Sequence, residues 1–137
     1  MRIQYAVICH DFQDGEWEGV TNLGGVRHKL FAPMQLDPGA DPDGPKPPVP
    51  LKLVVSLIDG KPGWHNVWVS IRRPNQQPLK RLPSMDIEWD EESPTFFIVM
   101  DINFQVFENG VYDFAILVDG DPLGTVPLPV EIVPLPG

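Results

Sequence analysis

The sequence predicts an all-β fold, a single antiparallel β-sandwich of about eight strands. Three observations predict it. Seventeen prolines and twelve glycines are spread through 137 residues. No window of helix length therefore joins a 3.6-residue apolar repeat to freedom from both breakers. Short apolar segments recur between clusters of turn-forming residues, as in sandwiches. The chain also closes on a β-hairpin, in which Tyr112, Phe114, Ile116 and Val118 form one alternating set and Val126, Leu128, Val130 and Ile132 another. A period of two places each set on one strand face, and Asp119-Gly120 supplies a turn that tolerates positive φ.

The remaining elements follow in chain order. Ile3–His10 reads as a first strand with Ile3, Tyr5, Val7 and Cys9 on one face. Ala6 and Ile8 keep the other face apolar, which predicts a central position. Gln13-Asp14-Gly15 reads as a turn. Trp17–Leu23 and Val26–Ala32 read as a hairpin around Gly24-Gly25. Residues 33–50 hold seven prolines and predict a long crossing loop, partly polyproline-like. Val49–Ile58 is the next strand, and Asp59-Gly60-Lys61-Pro62-Gly63 is a loop. Val67, Val69 and Ile71 alternate with Trp68, Ser70 and Arg72, and Met85, Ile87 and Trp89 with Asp86, Glu88 and Asp90. Thr95–Phe107 follows, and Glu108-Asn109-Gly110 turns into the final hairpin. In the last strand Pro127 and Pro129 lack the N–H groups of one lateral side, which predicts an edge strand. The length suits one domain spanning 1–137, with no internal repeat.

Charge and composition limit the functions available. The net charge is −9, and every Lys and Arg lies at or before Arg81, whereas acids continue to Glu131. An acidic second half argues against general nucleic-acid binding, which needs a basic field. The apolar runs Leu51–Ile58 and Thr95–Met100 fall far short of the roughly 20 residues of a membrane-spanning helix. Residues 1–8 lack the pattern of a secretion signal, and a lone cysteine, Cys9, cannot form an internal disulfide. A cytoplasmic location is the expectation.

The opening Tyr5-Ala6-Val7-Ile8-Cys9-His10-Asp11, then Gly15, Asn22-Leu23-Gly24-Gly25 and Phe31-Ala32-Pro33, together with Gly110-Val111-Tyr112-Asp113-Phe114, resembles a family of short bacterial all-β proteins known only as a domain of unknown function. The departures are His10, inserted between Cys9 and Asp11, and the long proline loop. The resemblance implies a cytoplasmic β-sandwich and carries over no activity and no functional residues.

Candidate chemistry is sparse. Cys9 and His10 are adjacent and so point to opposite strand faces, which disfavours a nucleophile–base pair. Cys9 continues an apolar face, where an inert buried thiol is the ordinary outcome. His10, His28 and His65 show no metal-ligand spacing, and a metal site would require His10, Asp11 and His28 or His65 to converge in space. Asp41-Pro42-Asp43-Gly44 echoes a calcium loop, but Pro50 stands where the bidentate Glu belongs. Pro47-Pro48-Val49-Pro50-Leu51-Lys52 fits a Pro-x-x-Pro ligand, and equally a stiff entry into a strand. No phosphate loop, hydrolase elbow or paired-histidine zinc motif is present.

The expected function is therefore non-enzymatic. It is protein–protein contact, as an accessory or assembly subunit or by self-association, with no cofactor. The alternatives are a carbohydrate- or small-ligand-binding module that uses exposed tryptophans and, more remotely, a metal-dependent enzyme. The candidate interaction surface is Trp64, Trp68, Arg72, Arg73, Lys80, Arg81, Pro47, Pro48 and Pro50. The basic run 72–81 and the acids Asp86, Glu88, Asp90, Glu91 and Glu92 steer a contact only if the fold holds them at opposite ends. A head-to-tail assembly is then the expectation.

Overall fold

The computed structural model describes residues 1–15, 21–34 and 48–134. Eleven strands are assigned among them and no helix: β1 Arg2–Cys9, β2 Asp11–Asp14, β3 Thr21–Gly24, β4 Leu30–Met34, β5 Val49–Ile58, β6 Gly63–Arg72, β7 Pro78–Arg81, β8 Met85–Trp89, β9 Thr95–Phe104, β10 Gly110–Val118 and β11 Asp121–Pro134. A three-stranded sheet runs β1-β5-β9. The larger sheet runs β4-β11-β10-β6-β7, with β8 also paired to β6. The two pack face to face as a sandwich, and β2-β3 is a separate hairpin.

Alternation explains the core. Leu51, Leu53, Val55 and Leu57 of β5 and Ile98, Met100, Ile102 and Phe104 of β9 turn inward from the small sheet. Val67, Val69 and Ile71 of β6 and Tyr112, Phe114, Ile116 and Val118 of β10 meet them from the large one. Tyr112 is wholly buried, and its ring stands edge-on to Phe104 with centroids 5.0 Å apart. Its hydroxyl accepts from Phe107 N and Glu108 N, each at 3.0 Å, and donates to Glu108 O at 2.9 Å. One phenol therefore fixes the 105–109 crossover between the sheets. At the other end Trp89 is 3% exposed, donates Nε1–H to Ser93 O at 3.1 Å and packs against Phe96.

Several expectations need correction. β1 is an edge strand, not a central one, since β5 is its one sheet neighbour among the described residues. A bulge between Ile3 and Tyr5 turns Ile3 inward with Ala6 and Ile8 and leaves Tyr5, Val7 and Cys9 on the outer face. Gln13 and Asp14 belong to β2 rather than to a turn. The expected hairpin around Gly24-Gly25 is replaced by β2 pairing with β3, while β4 joins β11 in parallel. Trp17 and the segment from 35 to 47, including Pro47, lie outside the described residues.

β11 is not simply an edge strand. It pairs with β10 from Asp121 to Val130 and with β4 from Val130 to Pro134, so it has a strand on both sides at Val130. Pro127 and Pro129 pair with Asp113 and Val111 of β10, and no strand among the described residues joins their other side. A proline removes only its own N–H. Glu131 and Val133, on the same lateral side, remain free to take β4.

Two substitutions test this packing. Tyr112→Phe leaves two partly buried loop N–H groups without their acceptor and should lower stability by about 1–3 kcal/mol in denaturant unfolding. A Cβ on Gly60 would overlap the Trp89 indole, so Gly60→Ala should cost about 1–3 kcal/mol. Wild-type melting in either variant would contradict the assigned contacts.

Candidate functional site

The groups that titrate most distinctively sit where the β5–β6 loop meets the final hairpin. His65 Nδ1 lies 2.6 Å from Asp119 Oδ2, and Nε2 lies 2.6 Å from Lys61 O. Both partners are acceptors, so both ring nitrogens must carry protons and the ring is an imidazolium. Asp119 also accepts from Asn66 N at 2.9 Å, and its own N–H donates to Asn66 O at 2.8 Å. Asp119 can do this because it stands in the left-handed region, φ 51°, ahead of Gly120. The Asp119 hydrogen bond is the main cause that raises the His65 pKa, and the His65 bond in turn lowers that of Asp119. The arrangement ties three segments together. It holds no nucleophile, and both imidazole nitrogens are occupied, so it is a clamp.

Cys9 is fully buried on the outer side of the small sheet, opposite Lys52 and close to Asp11. Burial is the first cause that pushes its thiol pKa up, which is the reverse of activation. Lys52 bonds to Asp101, which keeps the ammonium charged. His10 follows at the far end of β1, its N–H shared between Gly24 O and Gly25 O. The eight residues of β1 span about 25 Å. Arg2, at the other end, pairs with Asp59 in the loop that also carries Lys61. His10 and Asp11 are thus held away from His65. Among the described residues no group of three or more His, Cys, Asp or Glu is placed to hold a metal ion.

The nominated surface residues are scattered rather than joined. Trp64 is 69% exposed on β6 opposite Glu88 of β8. Trp68, on the same outer face, is half-buried beside Leu117. Arg72 is exposed. Arg73 is instead engaged by Glu108 and stacks over Phe107 at 4.4 Å, so part of the basic run is neutralised locally. Lys80 and Arg81 lie on β7, paired along Ser70–Arg72 of β6. Pro48 and Pro50 are exposed at the start of β5. Pro48 borders a cavity of about 370 Å³ with Ile71, Leu79, Asn103, Phe104, Gln105 and Phe107.

Charge placement is the sharper result. β8 pairs with the N-terminal half of β6 and β7 with its C-terminal end. Glu88, Asp90, Glu91 and Glu92 therefore gather at one end, beside an open cleft of about 660 Å³ also lined by Pro62, Gly63 and Trp89. Arg72, Arg73, Lys80 and Arg81 belong to the other end, about 30 Å away along a ten-residue strand.

Sequence reasoning missed one surface. Phe31 of β4 is 55% exposed, Val111 of β10 44% and Val133 of β11 40%. They face outward around Pro129 and Glu131, with Lys29 4.9 Å over the Phe31 ring and 3.2 Å from Glu131. The signal was non-local, because β4 and β11 are almost the length of the chain apart. No protein-family model and no curated protein matches the chain, so the family resemblance rests on the quoted residues alone.

Two measurements follow. The His65–Asp119 pair is intact between the lowered pKa of Asp119 and the raised pKa of His65. A raised histidine stabilises fully below its unfolded value, about 6.5, and loses that contribution as pH rises through the folded value. Stability should thus fall on the alkaline side of about pH 6.5 in the native protein and show no such step in His65→Asn. A water-soluble thiol reagent should label native Cys9 far more slowly than unfolded protein. Equal rates would reopen the nucleophile hypothesis.

Proposed function

We propose that this protein is a non-enzymatic β-sandwich that acts through protein–protein contact, in a cytoplasmic setting that suits its single buried thiol. The observation that carries the reading is the apolar patch on the outer face of the large sheet, where Phe31, Val111 and Val133 are exposed on neighbouring strands. Scattered apolar residues need no explanation, but a grouped set rimmed by Lys29 and Glu131 is the usual composition of a contact surface. The placement of acids and bases at opposite ends supports the same reading, because such fields steer encounter.

One observation favours a second reading, a small-ligand or carbohydrate site. Trp64 is exposed on the strand pair whose Glu88 lines the acidic cleft. An aromatic face beside carboxylates is what a sugar ring needs.

A photo-reactive amino acid at position 31, 111 or 133, irradiated in intact cells, should give a discrete adduct heavier than the monomer. Monomer alone from all three positions would contradict the contact reading. A glycan that quenches tryptophan fluorescence in the native protein but not in Trp64→Ala would favour the second.

A further inference from the structure

We propose that His10, Arg27 and Lys29 form a carboxylate-binding cleft, which takes an Asp or Glu side chain of the partner while apolar neighbours of that side chain cover Phe31. This rests on the contact reading above and names the chemistry of the partner segment as acidic and apolar together.

The segment from Gly25 to Lys29 crosses from the end of β1 to β4. Arg27 N donates to Ile8 O at 2.7 Å, and His10 N is shared between Gly24 O and Gly25 O, each at 3.1 Å. Gly25 stands at φ 63°, and a Cβ there would meet the Cβ of His10 at 3.0 Å. His10 and this segment bound an open cleft of about 390 Å³, lined by His10, Gly25, Val26, Arg27 and Lys29. No acid among the described residues lines it.

Arg27 is the anomaly. A net charge of −9 makes carboxylates abundant, and Arg2, Lys29, Lys52 and Arg73 each meet one. Arg27 is half-buried, and its Nε is shut off from water with no acceptor among the described residues. A buried N–H without an acceptor is costly, and more so on a charged group. An incoming carboxylate removes that cost once the guanidinium turns into the adjoining cleft and offers its planar fork to both oxygens. His10 is exposed beside it, and an imidazole holds an N–H donor in either tautomer.

Charge selects a carboxylate over a phosphate. Lys29 lies 3.2 Å from Glu131, so the cleft has one cation that is shared and one, Arg27, that is not compensated. That balances a single negative charge, whereas a phosphate dianion would bring excess charge against Glu131. Position selects a protein segment over a free small acid. The same Lys29 Nζ stands 4.9 Å over the Phe31 ring, so the cleft and the exposed apolar patch are continuous through one side chain. A segment with a carboxylate beside apolar side chains fills both.

The test is nuclear magnetic resonance titration of the isotope-labelled full chain at constant ionic strength. The probes are acetyl-Leu-Glu-Leu-amide, acetyl-Leu-Gln-Leu-amide and inorganic phosphate. The expected result is saturable displacement of the Arg27 Nε–H, the His10 amide and the Phe31 amide together by the Glu peptide, with the Gln peptide weaker by roughly tenfold. Arg27→Gln removes no side-chain hydrogen bond found among the described residues, so it should melt as the native protein does and erase the difference between the peptides. Arg27→Lys keeps the charge without the fork and should recover part of it. Equal binding of the two peptides, selectivity that survives Arg27→Gln, or phosphate binding more tightly than the Glu peptide would overturn the proposal. The photo-adduct at position 31 separates the two readings. An adduct that Arg27→Gln loses supports the cleft, and one that Arg27→Gln keeps overturns it while the contact reading stands. Selective peptide binding with no adduct at any position would keep the carboxylate site and remove the contact reading.

Discussion

A backbone N–H or C=O at a sheet edge must be paired, hidden or blocked, and that requirement shapes most of this fold. In β11 Pro127 and Pro129 come just before the stretch that takes β4, so blocking and pairing divide one strand edge between them. β1 meets the requirement with a bulge and with packing of Ile3 against Gly124. The short strands β7 and β8 meet it by sharing one edge of β6 end to end, which in turn separates the bases from the acids. Edge management and charge placement are thus one arrangement. Among the described strands, β9 is the one whose second side shows neither device.

The interior shows why this arrangement can be rigid. Two contacts hold the crossovers between the sheets. Tyr112 pins the loop that follows β9, and the Trp89 indole closes over Gly60 and Phe96 where β8 leads into β9. β9 is therefore anchored at both ends by buried aromatics, and its register with β5 is unbroken. The His65–Asp119 clamp fastens the neighbouring loop to the final hairpin. All three use a polar handle on a buried or half-buried ring, which satisfies loop backbone or charge.

How much of this was legible depends on the distance between the residues involved. The all-β class and the inward sets of β6, β8, β10 and β11 follow from local alternation, which the structure repeats residue for residue. The final hairpin follows from Asp119-Gly120, both at positive φ. The failures were positional. Nothing local in Ile3–Cys9 announces the bulge at Gln4, which settles the facing of Tyr5 and Cys9. Nothing local pairs Leu30–Met34 with Val130–Pro134 in parallel, so the Phe31 patch was invisible and β11 looked like an edge along its whole length. His65 was read as one of three isolated histidines, because its partner Asp119 is 54 residues away. Of the nominated surface, Trp64 is exposed, Arg73 is consumed by Glu108, and Trp68 is half-covered. That no strand among the described residues pairs with the second side of β9 follows only from the strand order.

The claim on which the functional account turns is that the outer-face patch of Phe31, Val111 and Val133 meets a protein partner. Affinity capture from the native cells with the wild-type chain and with Phe31→Lys/Val133→Lys, both shown to melt alike, reads that contact directly. The account predicts a discrete partner, a second copy included, that the native chain retains and the double variant loses. The same partner retained equally by both would contradict it.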